Sequence, residues 1–140
     1  PETGSIQVDK IYAVDDVGVA VNPMTLEGQL HGSIAQGLGE SLVEQILYDR
    51  KSGQLLTGSF MDYGMPRADI MPDIISDLAL VSSKNNPLGV KGVGEAGTVG
   101  ALAAVMNAIN YALAALGIEH FEMPATPDRV WKAIDEARSD

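Results

Sequence analysis

Cysteine is absent from the 140 residues. That excludes disulfides, a thiolate metal site and an iron–sulfur cluster held by this chain, and it suits a reducing compartment, so a cytoplasmic location is the expectation. Histidine is nearly absent too: His31 and His120 are the two, far apart in sequence. Glu119-His120-Phe-Glu122 looks like a ligand cluster, but without a second histidine nearby it is no metal motif, and no metal-ligating residue is assigned. Basic residues are few, 9 against 19 acidic ones for a formal charge of −10, and they are scattered singly. A chain with no basic patch is not built for nucleic-acid phosphates. Aromatics are scarce at 5% while glycine reaches 15 residues, so packing must rely on small side chains in close contact. No internal repeat, phosphate-loop signature, nucleophile elbow or His-Glu-x-x-His motif is present. No signal peptide is visible and no initiator methionine. Pro1-Glu-Thr-Gly4 reads as the middle of a protein and residues 137–140 as a natural chain end, so a C-terminal fragment or processed chain is expected.

What is there forms one domain over residues 1–140. Residues 5–14 alternate apolar and polar and read as a strand. Asp15-Asp16-Val17-Gly18 reads as a turn, and Asn22-Pro23 closes a short extended piece. Residues 27–47 form the first long helix, with Leu30, Ile34, Leu38, Leu42 and Ile46 as its apolar stripe. A second face is nearly bare: Gly28, Gly32, Ala35 and Gly39. Helical glycines cost about 1 kcal/mol each relative to alanine, so either a close-packed neighbour or a flat ligand must offset them. Gln36 lies in this region, and its amide both donates and accepts. Residues 48–57 read as a hairpin around Asp49-Arg-Lys-Ser-Gly53. Residues 59–69 form an irregular loop in which Tyr63 and Arg67 are the polar candidates. Residues 74–82 read as a strand.

Residues 96–118 carry no charge, a length that would span a bilayer. Asn107, Asn110, many small residues and acidic flanks argue for a buried helix and no membrane span. This helix runs from about Gly97 to Leu116, buries Leu102, Val105, Ile109, Leu113 and Leu116, and is capped by Gly117. Thr126 and Pro127 signal the start of a last, shorter helix. The fold class is α+β: a mixed β-sheet from residues 6–14, 48–57 and 74–82, two long packed helices and a short C-terminal helix.

The densest stretch is Asn86-Pro-Leu-Gly-Val-Lys-Gly-Val-Gly-Glu-Ala-Gly-Thr-Val-Gly100, five glycines leading into the second long helix. Gly92-Val-Gly94-Glu-Ala-Gly97 matches the dinucleotide pattern G-x-G-x-x-G. A glutamate inside it, a long preceding loop and no following β-α-β unit make this a chance match. Glu95 stands at the helix start with Lys91 as its one nearby sequence partner. It is either a first-turn acid favoured by the helix dipole or a general base at the floor of a site.

Three stretches together resemble a known family: Glu27-Gly-Gln-Leu-His-Gly-Ser-Ile-Ala-Gln-Gly-Leu-Gly39, Leu56-Thr-Gly-Ser-Phe-Met-Asp-Tyr-Gly-Met-Pro66 and Lys91-Gly-Val-Gly-Glu-Ala-Gly97. Their order and spacing, with Thr126-Pro-Asp-Arg-Val-Trp-Lys-Ala-Ile134, resemble the C-terminal part of the molybdopterin-binding large subunit of the xanthine dehydrogenase, aldehyde oxidase and carbon monoxide dehydrogenase family, and the bacterial branch most. The resemblance implies an oxidoreductase that hydroxylates aldehydes, N-heterocycles or related small molecules with water as oxygen donor. It implies Glu95 as the catalytic base and Gln36 as a hydrogen-bond partner of the cofactor. Gly37 beside it, and the backbone of Val93, Gly94 and Ala96, are further cofactor contacts on the same ground. The implied cofactor is molybdopterin cytosine dinucleotide with molybdenum. The implied partners are the remainder of the molybdenum subunit, iron–sulfur and FAD subunits or domains, and a small-molecule substrate. Ala96-Gly97 follows Glu95 where xanthine-oxidising members carry two prolines, which points away from a purine. A fragment of this size holds one wall of such a site and is expected to be inactive alone. The alternative is a non-catalytic interaction domain, or a small subunit completing a split enzyme.

Overall fold

The computed structural model describes residues 1–139. Strand β1 (Lys10–Asp15) leads into helix α1 (Pro23–Leu42), strand β2 (Asp73–Leu78), helix α2 (Ala96–Ala114) and helix α3 (Pro127–Ser139), with a single 3₁₀ turn at Ala68–Ile70. The natural chain end expected at residues 137–140 falls partly on Asp140, which lies outside the described residues.

The α+β class holds, but the sheet is smaller than expected. It has two strands, and they run parallel, Lys10 opposite Asp73 through Asp15 opposite Leu78. Parallel neighbours need a crossover, and α1 is that crossover. Residues 48–57 do form a hairpin, but Tyr48 and Leu55 pair only with each other. The Asp49 carboxylate is spent inside that turn, accepting from the Ser52 amide and hydroxyl, and the hairpin stands apart instead of adding a third strand.

Helix α1 starts four residues before the expected position. Asn22 Oδ1 accepts from the Thr25 amide at 3.0 Å and Pro23 occupies the first turn, a start signal whose fixed proline φ and capped amide suffice without an apolar stripe. The helix also ends earlier, at Leu42. The amides of Val43 and Glu44 both close onto the Gly39 carbonyl, and Ile46, expected in the buried stripe, is 62% exposed. The remaining stripe, Leu30, Ile34, Leu38 and Leu42, is buried. Each such side chain contributes about 1.5–3 kcal/mol.

Opposite it lies α2, with Ala101, Val105, Ile109 and Leu113 buried. Leu102, expected on that side, is half-buried, and Leu116 is 43% exposed beyond the helix end. Helix α2 is long and apolar enough to cross a membrane by length and composition; here its Ala101–Leu113 stripe packs on α1. Gly117, at φ +84°, ends it, and Asn110 fastens the following chain by accepting from the Phe121 amide at 2.7 Å and donating to the Phe121 carbonyl at 3.2 Å. Val130 and Ile134 of α3 close the same core.

Two glycines set the α1–α2 distance. A Cβ at Gly97 would lie 2.2 Å from Ser33 Oγ and 2.9 Å from the Leu30 carbonyl oxygen, and one at Gly37 would meet Ala101 Cβ at 2.8 Å and the Thr98 carbonyl at 2.9 Å. Main-chain atoms cannot step aside as a side chain can. Gly97→Val is therefore expected to destabilise the chain by about 3 kcal/mol, at the upper end for overpacking, read as a fall in denaturant midpoint.

Candidate functional site

The glycine-rich stretch is held in place by strand-like stitching to the end of β1. Val19 N–H donates to the Gly89 carbonyl and Lys91 N–H to the Val17 carbonyl. Asp16 is the centre of this clasp: its carboxylate pairs with the Lys91 ammonium and accepts from the amides of Gly18 and Val81. Lys91, the sequence neighbour of Glu95, is thus engaged with Asp16. The Lys91 hydrogen bond first, and the two amides after it, hold the Asp16 carboxyl down at about 2 against an ordinary 3.8.

A carboxyl lowered on folding adds stability above its unfolded value and loses it as the pH falls through the folded one. The clasp's contribution is therefore present above pH 3.8 and is lost as the pH falls from there through about 2. In Asp16→Asn, thermal melting is expected to lose that part of its acid dependence between those two values; an unchanged profile would contradict the clasp.

Beyond the clasp, Glu95 stands at the N-cap of α2, exposed. Its carboxylate has no hydrogen-bond or ion-pair partner among the described residues. The amides of Gly92, Val93, Gly94 and Glu95 also find no acceptor there, whereas Ala96 N–H donates to the Val93 carbonyl at 3.1 Å. A helix start with free amides and an open approach is a place for an acceptor-rich group.

Next to it runs a polar groove of about 250 Å³ lined by Gly28, Gln29, Gly32, Ser33, Gln36 and Gly94. Gly28 and Gly32 face open space, since a Cβ on either would meet nothing within 4 Å. Gln36 Nε2 donates to Glu40 Oε1 at 3.0 Å. Thr98, one turn into α2, donates to the Ser33 carbonyl at 2.9 Å and reaches Gln36 Oε1 at 3.5 Å, tying the groove wall to the helix that carries Glu95.

Gln36 and Gly94 thus line one groove, and Glu95 is the next residue in the chain. Gly37 is not part of it: it is buried against α2. Val93 is half-buried beside Gly94, and Ala96 faces a different groove, against β1. The bare face of α1 therefore divides: Gly39 serves close packing against Pro66, while Gly28 and Gly32 leave a surface open. Gln29, Ser33 and Thr98 were not singled out from sequence. The seven-residue spacing of Gln29 and Gln36, two helical turns on one face, was the available signal for Gln29.

Loop residues 57–67 continue the same side of α1. Gln36, Glu40 and Glu44 follow at intervals of four, and Tyr63 Oη donates to Glu44 Oε2 at 2.6 Å, which holds the phenol above its ordinary value. Among the described residues Arg67 pairs with Asp69 alone, at 3.8 Å with both exposed, a surface pair of little weight. His31 Nε2 lies 3.4 Å from Ser76 Oγ. No group of three or more His, Asp or Glu able to hold a metal ion comes together among the described residues.

Residues 1–72 match the family model described as molybdopterin cofactor-binding domain. The chain is 44% identical over 95% of its length to the nicotine 6-hydroxylase large subunit of Paenarthrobacter nicotinovorans. It is 38% identical over 96% of its length to the carbon monoxide dehydrogenase large chain of Hydrogenophaga pseudoflava. Among solved structures, the Cu,Mo-CO dehydrogenase in its carbon monoxide reduced state superposes with a TM-score of 0.91 at 36% identity over 98% of this chain and 17% of that one. Quinoline 2-oxidoreductase from Pseudomonas putida 86 gives 0.89 at 41% identity over 96% and 17%. The chain spans 16–17% of the length of these curated relatives. With half its length under the family model and both long helices superposing on solved members, this chain belongs to the molybdopterin cofactor-binding family of molybdenum oxidoreductase large subunits.

Proposed function

We propose that this chain is the C-terminal cofactor-facing domain of a molybdenum hydroxylase large subunit. The reading rests above all on one observation: Gln36 of α1 and Gly94, the residue before Glu95, line a single groove whose glycine floor is open. A flat heterocycle with amide-like edges fits such a wall. Gln36 and Gln29 supply side-chain amides that donate and accept, Gly28 and Gly32 allow close approach to a ring face, and the free amides of Val93 and Gly94 suit acceptor atoms. The cytosine dinucleotide form of molybdopterin is the cofactor proposed. When bound, it supplies a two-electron acceptor and activates water-derived oxygen.

The chain's own part is proton handling and placement. In the net reaction a substrate C–H and water give C–OH with release of two protons and two electrons. Glu95 takes up the proton lost by the oxygen nucleophile as the new C–O bond forms. Its carboxylate has no competing partner among the described residues, and its main chain is anchored at the start of α2. Gln36, buttressed by Glu40 and Thr98, holds the cofactor's edge so that this proton lies within reach. The electrons leave through iron–sulfur and FAD subunits or domains in a cytoplasmic complex. Substrates are small molecules, aldehydes or N-heterocycles; nicotine and quinoline, named for two relatives, are of the second kind.

Turnover of the complete enzyme in isotopically labelled water tests the reaction class. Label in the hydroxylated product is expected. Product oxygen drawn from dioxygen instead would overturn the reading.

A further inference from the structure

The sheet has an open edge that is prepared for another strand. In β1, the atoms bonded to β2 belong to every second residue: Asp9 and Asp15 carbonyls accept from the Asp73 and Ala79 amides at the two ends of the ladder. The period of two directs the main-chain N–H and C=O of Lys10, Tyr12 and Val14 the other way. None of these has a partner among the described residues. Facing β1 runs α2, where a largely exposed row of small residues stands at four-residue intervals, Ala96, Gly100, Ala104, Ala108 and Ala112, beside the buried stripe. Between strand and helix lie two adjoining grooves, of about 500 and about 190 Å³. The floor of the larger is the apolar core at Val105, Ile109 and Leu113. On the outer face Tyr12 and Val14 are 72% and 69% exposed and Ile75 46%.

Two parallel strands with bare edges and one bare face are not a self-sufficient sheet, because parallel sheets are covered on both faces. Relatives that match this chain along nearly its whole length are about six times longer. That supplies both the need for a covering strand and its source. We infer that an extended segment from the remainder of the same subunit adds to the free edge of β1 and lies along the small-residue side of α2. The stripe sets its chemistry. Side chains pointing to α2 are apolar and as large as the missing Cβ branches allow, while those on the opposite side join Tyr12 and Val14. Main-chain bonds to Lys10, Tyr12 and Val14 supply the attraction, as in strand addition generally. This inference rests on the proposed membership in a longer subunit, and it names the surface by which the domain is built into that subunit.

The test is amide hydrogen exchange at single-residue resolution on the complete subunit. The Tyr12 and Val14 amides are expected to exchange at least roughly a hundredfold slower than free amides, like their neighbours Ile11 and Ala13, as paired core strands do. Free exchange at Tyr12 and Val14 with slow exchange at Ile11 and Ala13 would overturn the inference. So would protection that grows with protein concentration, which assigns the strand to a second copy, or protection lost when companion subunits are stripped away. Two variants give a second readout. Tyr12→Pro removes the main-chain donor on the free edge together with the phenol, which Tyr12→Ala removes alone, and an open edge tolerates proline; Ala104→Arg fills the groove from an exposed helical position. Both are expected to lower the melting temperature of the complete subunit by several degrees, and Tyr12→Ala much less; Tyr12→Pro equal to Tyr12→Ala contradicts the pairing. A subunit that protects Tyr12 and Val14 yet holds no molybdopterin would refute the proposed function and leave this inference standing.

Discussion

Glu95→Gln in the complete enzyme is expected to lower turnover by roughly 10²–10⁴-fold, the range set by loss of a positioned general base, with molybdenum and pterin content unchanged. The two side chains have nearly the same shape, so the effect isolates the basic oxygen. The fold gives little else for the change to disturb. Glu95 makes no side-chain cap and no ion pair among the described residues, and its one favourable local interaction is with the α2 dipole. That interaction is worth about 0.3–1 kcal/mol at an exposed site, which bounds the stability cost. A structural acid would show the reverse pattern: a slightly lower melting temperature and normal turnover. Single-turnover reduction by substrate separates the two, because loss of the base slows the chemical step and leaves substrate affinity nearly intact. Turnover near that of the unsubstituted enzyme would remove Glu95 from the mechanism.

Much of this arrangement was legible in the sequence because it rests on local chemistry. The four-residue stripe from Leu30 to Leu42 and the Gly117 stop are written in residue types whose physics acts over one or two turns. What escaped depends on partners distant in the chain. Ile46 continues the stripe's spacing, yet the helix has already closed onto the Gly39 carbonyl with Pro66 pressed against Gly39. Residues 48–57 have strand-like composition, and nothing local reveals that β1 finds β2 through a crossover instead. Asn22-Pro23 is a local helix start, but it lies outside the apolar stripe, whose first member is Leu30.

The candidate site divides the same way. Glu95 and Gln36 stand out by motif. Thr98 gains its place only because α2 crosses α1 at Ser33, and Lys91 looked like Glu95's partner until the fold supplied Asp16. The bare face of α1 could not be divided from sequence into packing glycines and groove glycines. Gly39 differs from Gly32 in that Pro66, distant in the chain, covers it.

That division gives the second large effect. Gly32 lies in an exposed stretch of α1 where a Cβ meets nothing within 4 Å. Leucine there fits the chain as it stands and favours the helix by about 0.8 kcal/mol relative to glycine, so the domain itself should not be weakened. The same side chain projects into the groove lined by Gln29, Gln36 and Gly94, where a heterocycle seated against the glycine floor would collide with it. Opposite signs are therefore expected from one substitution: unchanged or higher domain stability, and a fall in cofactor occupancy of roughly tenfold or more, since a buried branched side chain cannot be accommodated in a close-packed seat without large cost.

The most direct measurement is molybdenum and pterin content per folded polypeptide in the complete subunit carrying Gly32→Leu, beside the unsubstituted protein. A folded subunit nearly empty of both is the predicted result. Full loading of the folded Gly32→Leu subunit would contradict the placement of the cofactor against this groove.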